Sequence, residues 1–266
     1  MNTRHRPLLG LALLVALVGC SSGSGTGDTP ATTPATTPAT SRATTPATTP
    51  ATPVESGPAT TAPGFAPDTM TGERYSWGPI GDTMIVATGP DGWGGGDPGW
   101  GMAGPEPVRT DAPTGIGIVF LNANGVYTDP CHWDVLGTGH AAYGGVNVGP
   151  TVHDLVAALR ANTHYTSTAA TPVTIDGYSG QEMELQLPNR PSTNCDKDDP
   201  NDASGHEFVF SGPGLYAQGP GNRWDLYILD VDGARLVSVI LSYAKTPKSD
   251  LDLARNVIET MKINPT

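Results

Sequence analysis

Basic residues are scarce in this 266-residue chain: 14 Lys and Arg stand against 26 Asp and Glu, a net charge of −12. Nucleic-acid binding needs a basic footprint, and a polybasic hold on anionic lipid needs clustered Lys and Arg, so the deficit argues against both. Long apolar runs are missing too. The longest, Leu8 to Val18, spans only about 16 Å as a helix, well short of a bilayer core of roughly 30 Å. Cysteine occurs three times, without a Cys-x-x-Cys pair, and two cysteines alone make a poor zinc site. There is no Gly-x-Ser-x-Gly elbow, no P-loop, and no Gly-x-Gly-x-x-Gly between a strand and a helix.

The N-terminus is informative. Arg4 and Arg6 precede the apolar run, and Leu17-Val18-Gly19-Cys20 closes it. A charged segment, a short apolar core and small residues before a cut make a secretory signal. With cysteine at the cut, the segment closely resembles the lipobox of bacterial lipoproteins. That resemblance implies cleavage after residue 19 and a diacylglycerol on the Cys20 sulfur, usually with a further acyl chain such as palmitate on its nitrogen. Two or more acyl chains hold a protein stably on a membrane. The expected location is the extracytoplasmic face of a bacterial cell membrane. Cleavage would remove Arg4 and Arg6 and no acid, taking the net charge from −12 to −14.

Residues 20 to 74 form the expected lipidated N-terminus and linker. Ala-Thr-Thr-Pro units repeat from Pro30 to Pro53, and no apolar periodicity occurs. Such a segment cannot bury enough surface to offset its ordering entropy, so a disordered Thr/Pro/Ala spacer is expected, and its stretch from Ser21 to about Pro67 would reach about 145 Å if extended. Thr with Pro at this density is also the composition of O-glycosylated stalks.

Residues 75 to 266 are expected to fold as one α+β domain. Strand patterns fall at Thr83 to Thr88, Gly117 to Asn122, Val173 to Ile175, Gly180 to Leu187 and Phe208 to Phe210. Asp176-Gly177 marks a hairpin. Trp224 to Asp230 and Arg235 to Tyr243 form a second hairpin around Asp232-Gly233. Both of its strands are apolar on both faces, which suits the middle of a sheet with a layer on each side. Val152, Leu155, Val156 and Leu159 stripe a helix from Val152 to about Ala161, with Thr151 and Asp154 set as a capping box. A second helix, about Asp250 to Lys262, is expected to place Lys262 in its last turn. The order suggests a mostly antiparallel sheet packed by a mid-chain and a C-terminal helix, an α/β/α sandwich.

With Cys20 lipidated, Cys131 and Cys195 remain, and two cysteines permit one disulfide. It would close a loop of roughly 65 residues and contribute about 4 kcal/mol. A thiol nucleophile and a metal site are the competing uses of the pair.

The segments Tyr127-Thr128-Asp129-Pro130-Cys131-His132-Trp133, Val148-Gly149-Pro150-Thr151-Val152-His153-Asp154-Leu155-Val156-Ala157-Ala158-Leu159, Val173-Thr174-Ile175-Asp176-Gly177-Tyr178 and Leu229-Asp230-Val231-Asp232-Gly233-Ala234-Arg235-Leu236-Val237 carry a second resemblance. They resemble a domain of actinobacterial surface and membrane-anchored lipoproteins with no assigned activity. It covers about residues 115 to 264 and implies pairing of Cys131 with Cys195. The element order is also similar to the PsbP-like fold of exported lipoproteins, whose members mostly bind partners.

Candidate binding residues are Trp93 and Trp100 in the glycine-rich loop, and His132 and Trp133 beside Cys131. Exposed aromatics on loops stack on sugars or grip partner surfaces; the competing use of the loop tryptophans is to fill the core edge. Catalysis is not expected, nor a metal or cofactor. Seven residues lie between His132 and His140, which is not a ligand frame. Asp196, Asp198, Asp199, Asp202 and Glu207 form an acidic loop, but Pro200 and Asn201 occupy positions five and six of a would-be calcium loop. The expected function is a non-catalytic binding or accessory module for a wall polymer, a lipid or an exported protein. The alternative is an envelope hydrolase using His132, Asp134 and His140, or the acidic loop.

Overall fold

A computed structural model describes residues 60–61, 70–95, 101–108, 113–134, 145–197, 205–212 and 215–264. The expected signal segment, Cys20, nearly all of the linker, Trp100, His140, Asp198, Asp199 and Asp202 lie outside them.

In chain order the first strands are β1 (Thr60–Thr61), β2 (Arg74–Ile80), β3 (Thr83–Thr88), β4 (Gly94–Gly95) and β5 (Met102–Ala103). Next come β6 (Gly117–Leu121), β7 (Gly125–Val126), β8 (Val146–Asn147) and helix α1 (Val152–Ala161). Then follow β9 (Thr166–Ser167), β10 (Thr171–Ile175), β11 (Tyr178–Gln186) and β12 (Phe210–Ser211). The chain finishes with β13 (Arg223–Val231), β14 (Ala234–Ser242), helix α2 (Lys248–Thr260) and β15 (Lys262–Ile263).

The principal sheet runs β10-β11-β13-β14-β6-β5-β4, with β9 joining β11 on the edge that β10 also uses. All its strand pairs are antiparallel. The expected mostly antiparallel α+β architecture with two helices is therefore present.

Alternation along the central hairpin explains why both strand faces are apolar. Leu226, Ile228, Val237 and Val239 join one core cluster with Leu155, Val156 and Leu159 of α1. Tyr227, Leu229, Leu236 and Ile240 join another with Ala254, Val257 and Ile258 of α2. Each face thus has a helix, and the α2 side also receives Tyr75, Trp77, Ile85 and Ala87 from a smaller sheet ordered β1-β2-β3-β15.

Local chemistry fixes the turns and caps. The Thr151 hydroxyl accepts from the Asp154 backbone N–H at 3.1 Å, and the Asp154 carboxylate accepts from the Thr151 backbone N–H at 3.0 Å. That is the reciprocal capping box. Asp176 and Gly177 have φ of 50° and 88°, Asp232 and Gly233 of 53° and 88°. Positive φ at both central residues defines the turn that suits the twist of a two-residue hairpin, and Asp-Gly is tolerant of it.

Three expectations need correction. β2 was not among the expected strands, because Trp77-Gly78-Pro79 interrupts its alternation; the pairing with β3 slips between Trp77 and Ile80. The strand expected at Phe208 to Phe210 is a bridge from Phe208 to Tyr216 followed by β12, which belongs to a separate three-stranded sheet with β7 and β8. Helix α2 starts two residues earlier, directly after Pro247, and ends before Lys262. Lys262 sits in β15, paired with β3, and its ammonium bonds Asp176 at 2.8 Å instead of facing the helix terminus.

Candidate functional site

Two places gather polar chemistry. The first is the corner around the Cys131–Cys195 disulfide, which is formed, with Cα atoms 4.5 Å apart. The bridge ties the segment after β7 to the segment before β12. Hydrogen bonds between the two segments reinforce it: the Asp196 N–H donates to the Cys131 carbonyl at 2.8 Å, and the Asp134 N–H to the Asp196 carboxylate at 2.8 Å. Phe208 packs edge-on against Trp133 at 5.0 Å and against Tyr216 at 5.6 Å, and Tyr216 stacks on His206 at 4.0 Å.

Glu207 enters this corner from the would-be calcium loop but turns inward. Its side chain is buried, with Oε2 3.5 Å from His164 Nε2 and Oε1 3.4 Å from the Arg190 guanidinium. Oε1 also lies 3.7 Å from the Cys195 sulfur. The ligating atoms of Cys131, Cys195 and Glu207 fall within 4.8 Å of one another, but the two sulfurs are bonded to each other and neither is a thiolate. The same bond removes a thiol nucleophile.

His132 stands at the rim of the corner, its side chain 63% exposed, with Nδ1 3.0 Å from Asp129. The hydrogen bond and charge of Asp129 hold the His132 pKa above its ordinary value. Partial burial pushes the Asp129 carboxyl up, but bonds from the His132 side chain and from the His132 and Cys131 backbone N–H groups outweigh it, leaving the carboxyl below its usual range. His164 Nδ1 lies 3.8 Å from the same carboxylate. The corner is a set of ion pairs directed at each other.

Of the three candidate tryptophans, Trp93 and Trp133 are among the described residues, and both are inside the molecule. Trp93 is 2% exposed and packs with Met70, Met102 and Ile116, so it fills the core edge and offers no platform. Trp133 is 1% exposed, and its indole N–H donates to the His206 carbonyl at 2.9 Å. In the sequence, glycine-rich or polar neighbours suggest exposure for both; burial by distant segments overrides that signal.

The second place is a groove between α2 and the sheet, with a cavity of about 360 Å³. Its cause is local. β9 pairs with Leu185 and Gln186, β10 pairs with residues 178 to 182, and Thr168 to Ala170 bow away between them. Thr168 keeps the bow attached: its hydroxyl accepts from the Glu184 N–H at 2.8 Å, and its N–H donates to the Glu184 carbonyl at 3.0 Å. The register sets Glu182 opposite Tyr227 and Glu184 opposite Asp225, placing these side chains on the face that α2 covers only in part.

From α2, Arg255 and Glu259 complete the lining. Arg255 bonds Asp225 at 2.8 Å, and Arg223 bonds Glu184 at 2.6 Å. Tyr227 is 4% exposed; burial first, then the charges of Glu182 and Asp225, push its phenol up to about 12. In the sequence, Glu182 and Glu184 alternate with Met183 and Leu185 as the acidic outer face of a half-buried strand; the break in edge pairing that makes them a groove has no sequence signature.

The chain matches no protein-family model and no curated protein sequence. Among the described residues no helix is long and apolar enough to cross a membrane.

Proposed function

We propose that the protein is a lipid-anchored, extracytoplasmic binding module of a bacterial envelope, with the groove beneath α2 as its ligand surface. The formed Cys131–Cys195 bridge is the observation that carries the reading, because such bridges persist in oxidising compartments outside the cytoplasm. It agrees with the lipobox ending at Cys20. The sheet with a helix on each face is compatible with the PsbP-like arrangement suggested by element order, and that likeness remains part of this proposal.

A binding role is favoured over hydrolysis by how the polar residues are spent. His132 pairs with Asp129, and Glu207 with His164 and Arg190, so these groups satisfy one another. The groove, by contrast, is concave, polar and of small-molecule size. The partner classes remain a wall polymer, a lipid or another exported protein.

The test is crosslinking on intact cells, with a photoreactive residue in place of Ala169 at the groove or of Leu253 on the exposed side of α2. Capture of envelope material from position 169 and not from 253 is the expected result. Equal capture, or none, contradicts the reading.

A further inference from the structure

We propose that the disulfide corner becomes a zinc site when the Cys131–Cys195 bond is reduced, with the Glu207 carboxylate and the His164 imidazole completing the ligand set. Such a site lies apart from the groove and goes beyond the binding role. The donors already converge. The ligating atoms of Cys131, Cys195 and Glu207 lie within 4.8 Å of one another, and all three residues are buried. Glu207 Oε1 is 3.7 Å from the Cys195 sulfur, and Oε2 is 3.5 Å from His164 Nε2. Tetrahedral zinc binds sulfur at about 2.3 Å and nitrogen or oxygen at about 2.0–2.2 Å, which sets neighbouring ligand atoms roughly 3.3–3.8 Å apart. The bonded sulfurs must part to reach that spacing, and reduction lets them.

The corner is also arranged around a cation. The Arg190 guanidinium stands 3.4 Å from Glu207 Oε1 and 3.4 Å from His164 Nε2, in contact with both groups that would hold the metal. Meanwhile His164 turns Nδ1 toward the Asp129 carboxylate, 3.8 Å away. A carboxylate behind the imidazole fixes the ring of a zinc-bound histidine in the same way. Donor chemistry selects the ion: two thiolates and an imidazole suit zinc, whereas calcium and magnesium require oxygen. Zinc on two thiolates and a carboxylate carries one net negative charge. Arg190, half-exposed on a long side chain, yields the inner position and stays near enough to offset that charge.

The bridged and metal-bound states exclude each other. A dithiol reductant gives two electrons and two protons to the S–S bond, leaves as its own disulfide, and frees two thiols. Zinc then replaces both thiol protons, which pass to water, and two Zn–S bonds form. An exchanging disulfide reverses the change. It takes two electrons from the thiolates and two protons from water, the Cys131–Cys195 bond re-forms, and zinc departs.

The test reduces the full chain, held in mild detergent, with a phosphine in urea under argon. The chain is refolded by dialysis and titrated with Co²⁺ and then Zn²⁺, beside the same chain left oxidised. The reduced chain is expected to bind about one equivalent of Co²⁺, with a sulfur-to-cobalt charge-transfer band and the intense visible bands of a tetrahedral site, which Zn²⁺ erases. The oxidised chain is expected to show neither band. Zinc should raise the thermal midpoint of the reduced chain alone; if that chain stays unfolded without metal, zinc should fold it. Glu207→Gln and His164→Ala are each expected to weaken zinc by at least about ten-fold in the reduced chain while leaving the oxidised fold intact by circular dichroism. Cys131→Ser with Cys195→Ser should abolish the cobalt bands, and Cys20→Ser should leave them unchanged, which keeps the outcome separate from the lipid anchor. A reduced chain without metal binding, a reduced chain that zinc does not fold or stabilise, equal binding by the Glu207 and His164 variants, or bands lost with Cys20→Ser would each overturn the inference.

Discussion

Glu207 holds a carboxylate against a disulfide sulfur, with the His164 ring and the half-exposed Arg190 guanidinium beside it. Removing the carboxylate leaves His164 half-satisfied in a mostly buried site, so Glu207→Ala should cost about 2 kcal/mol. Urea unfolding monitored by tryptophan fluorescence measures it. The Asp129–His132 pair is exposed and answers mainly to pH. The raised His132 pKa gives a contribution that is full below the ordinary histidine value and lost as pH rises through the raised one. The lowered Asp129 pKa gives one that is full above the ordinary carboxylate value and lost as pH falls through the depressed one. The two overlap between about pH 4 and 6.5. The thermal midpoint of His132→Ala should therefore fall below the parent's most in that window and converge with it in mild alkali. A constant difference across pH would contradict the assigned pairing.

Among the elements, α1 depends on its first turn and on Arg235. The Arg235 guanidinium, held on β14, donates to the carbonyls of Ala123, Gly149 and Thr151, clamping the helix entrance to the sheet. Thr151→Ala should destabilise the protein by about 1 kcal/mol. Arg235→Met should cost about 2 kcal/mol, since the buried Ala123 carbonyl and the part-buried Gly149 and Thr151 carbonyls lose their donor. Thermal unfolding by circular dichroism reads both. These elements also show what the sequence makes legible. α1 has its expected bounds because stripe and cap agree locally, and both hairpins carry Asp-Gly at their turns. β2 and β15 do not announce themselves: one is broken by Trp77-Gly78-Pro79, the other is two residues long and exists through its pairing with β3. The groove was hidden for the same reason. Its residues are close because β9 and β10 share an edge of β11 and α2 packs on the sheet, contacts between segments far apart in the chain.

At the scale of the whole molecule, the bridge joins segments 64 residues apart and closes the corner on one side of the principal sheet. Replacing Cys131 and Cys195 by Ala should remove about 4 kcal/mol, a fall of roughly 10 °C in the thermal midpoint for a domain of this size. The groove belongs to other strands and to α2, so crosslinking from position 169 should survive the loss of the bridge at temperatures where the domain stays folded. The spacer sequence between Cys20 and the domain fits the proposed placement of that groove away from the membrane surface, with the acidic chain presented to the envelope.

The central claim, an acylated and oxidised envelope protein, meets its most direct test in the intact mass of material extracted from native membranes. The account predicts a chain beginning at Cys20, heavier by its acyl groups and lighter by the two hydrogens of the Cys131–Cys195 bond. An unacylated chain that keeps residues 1 to 19 and carries free thiols at 131 and 195 would contradict it.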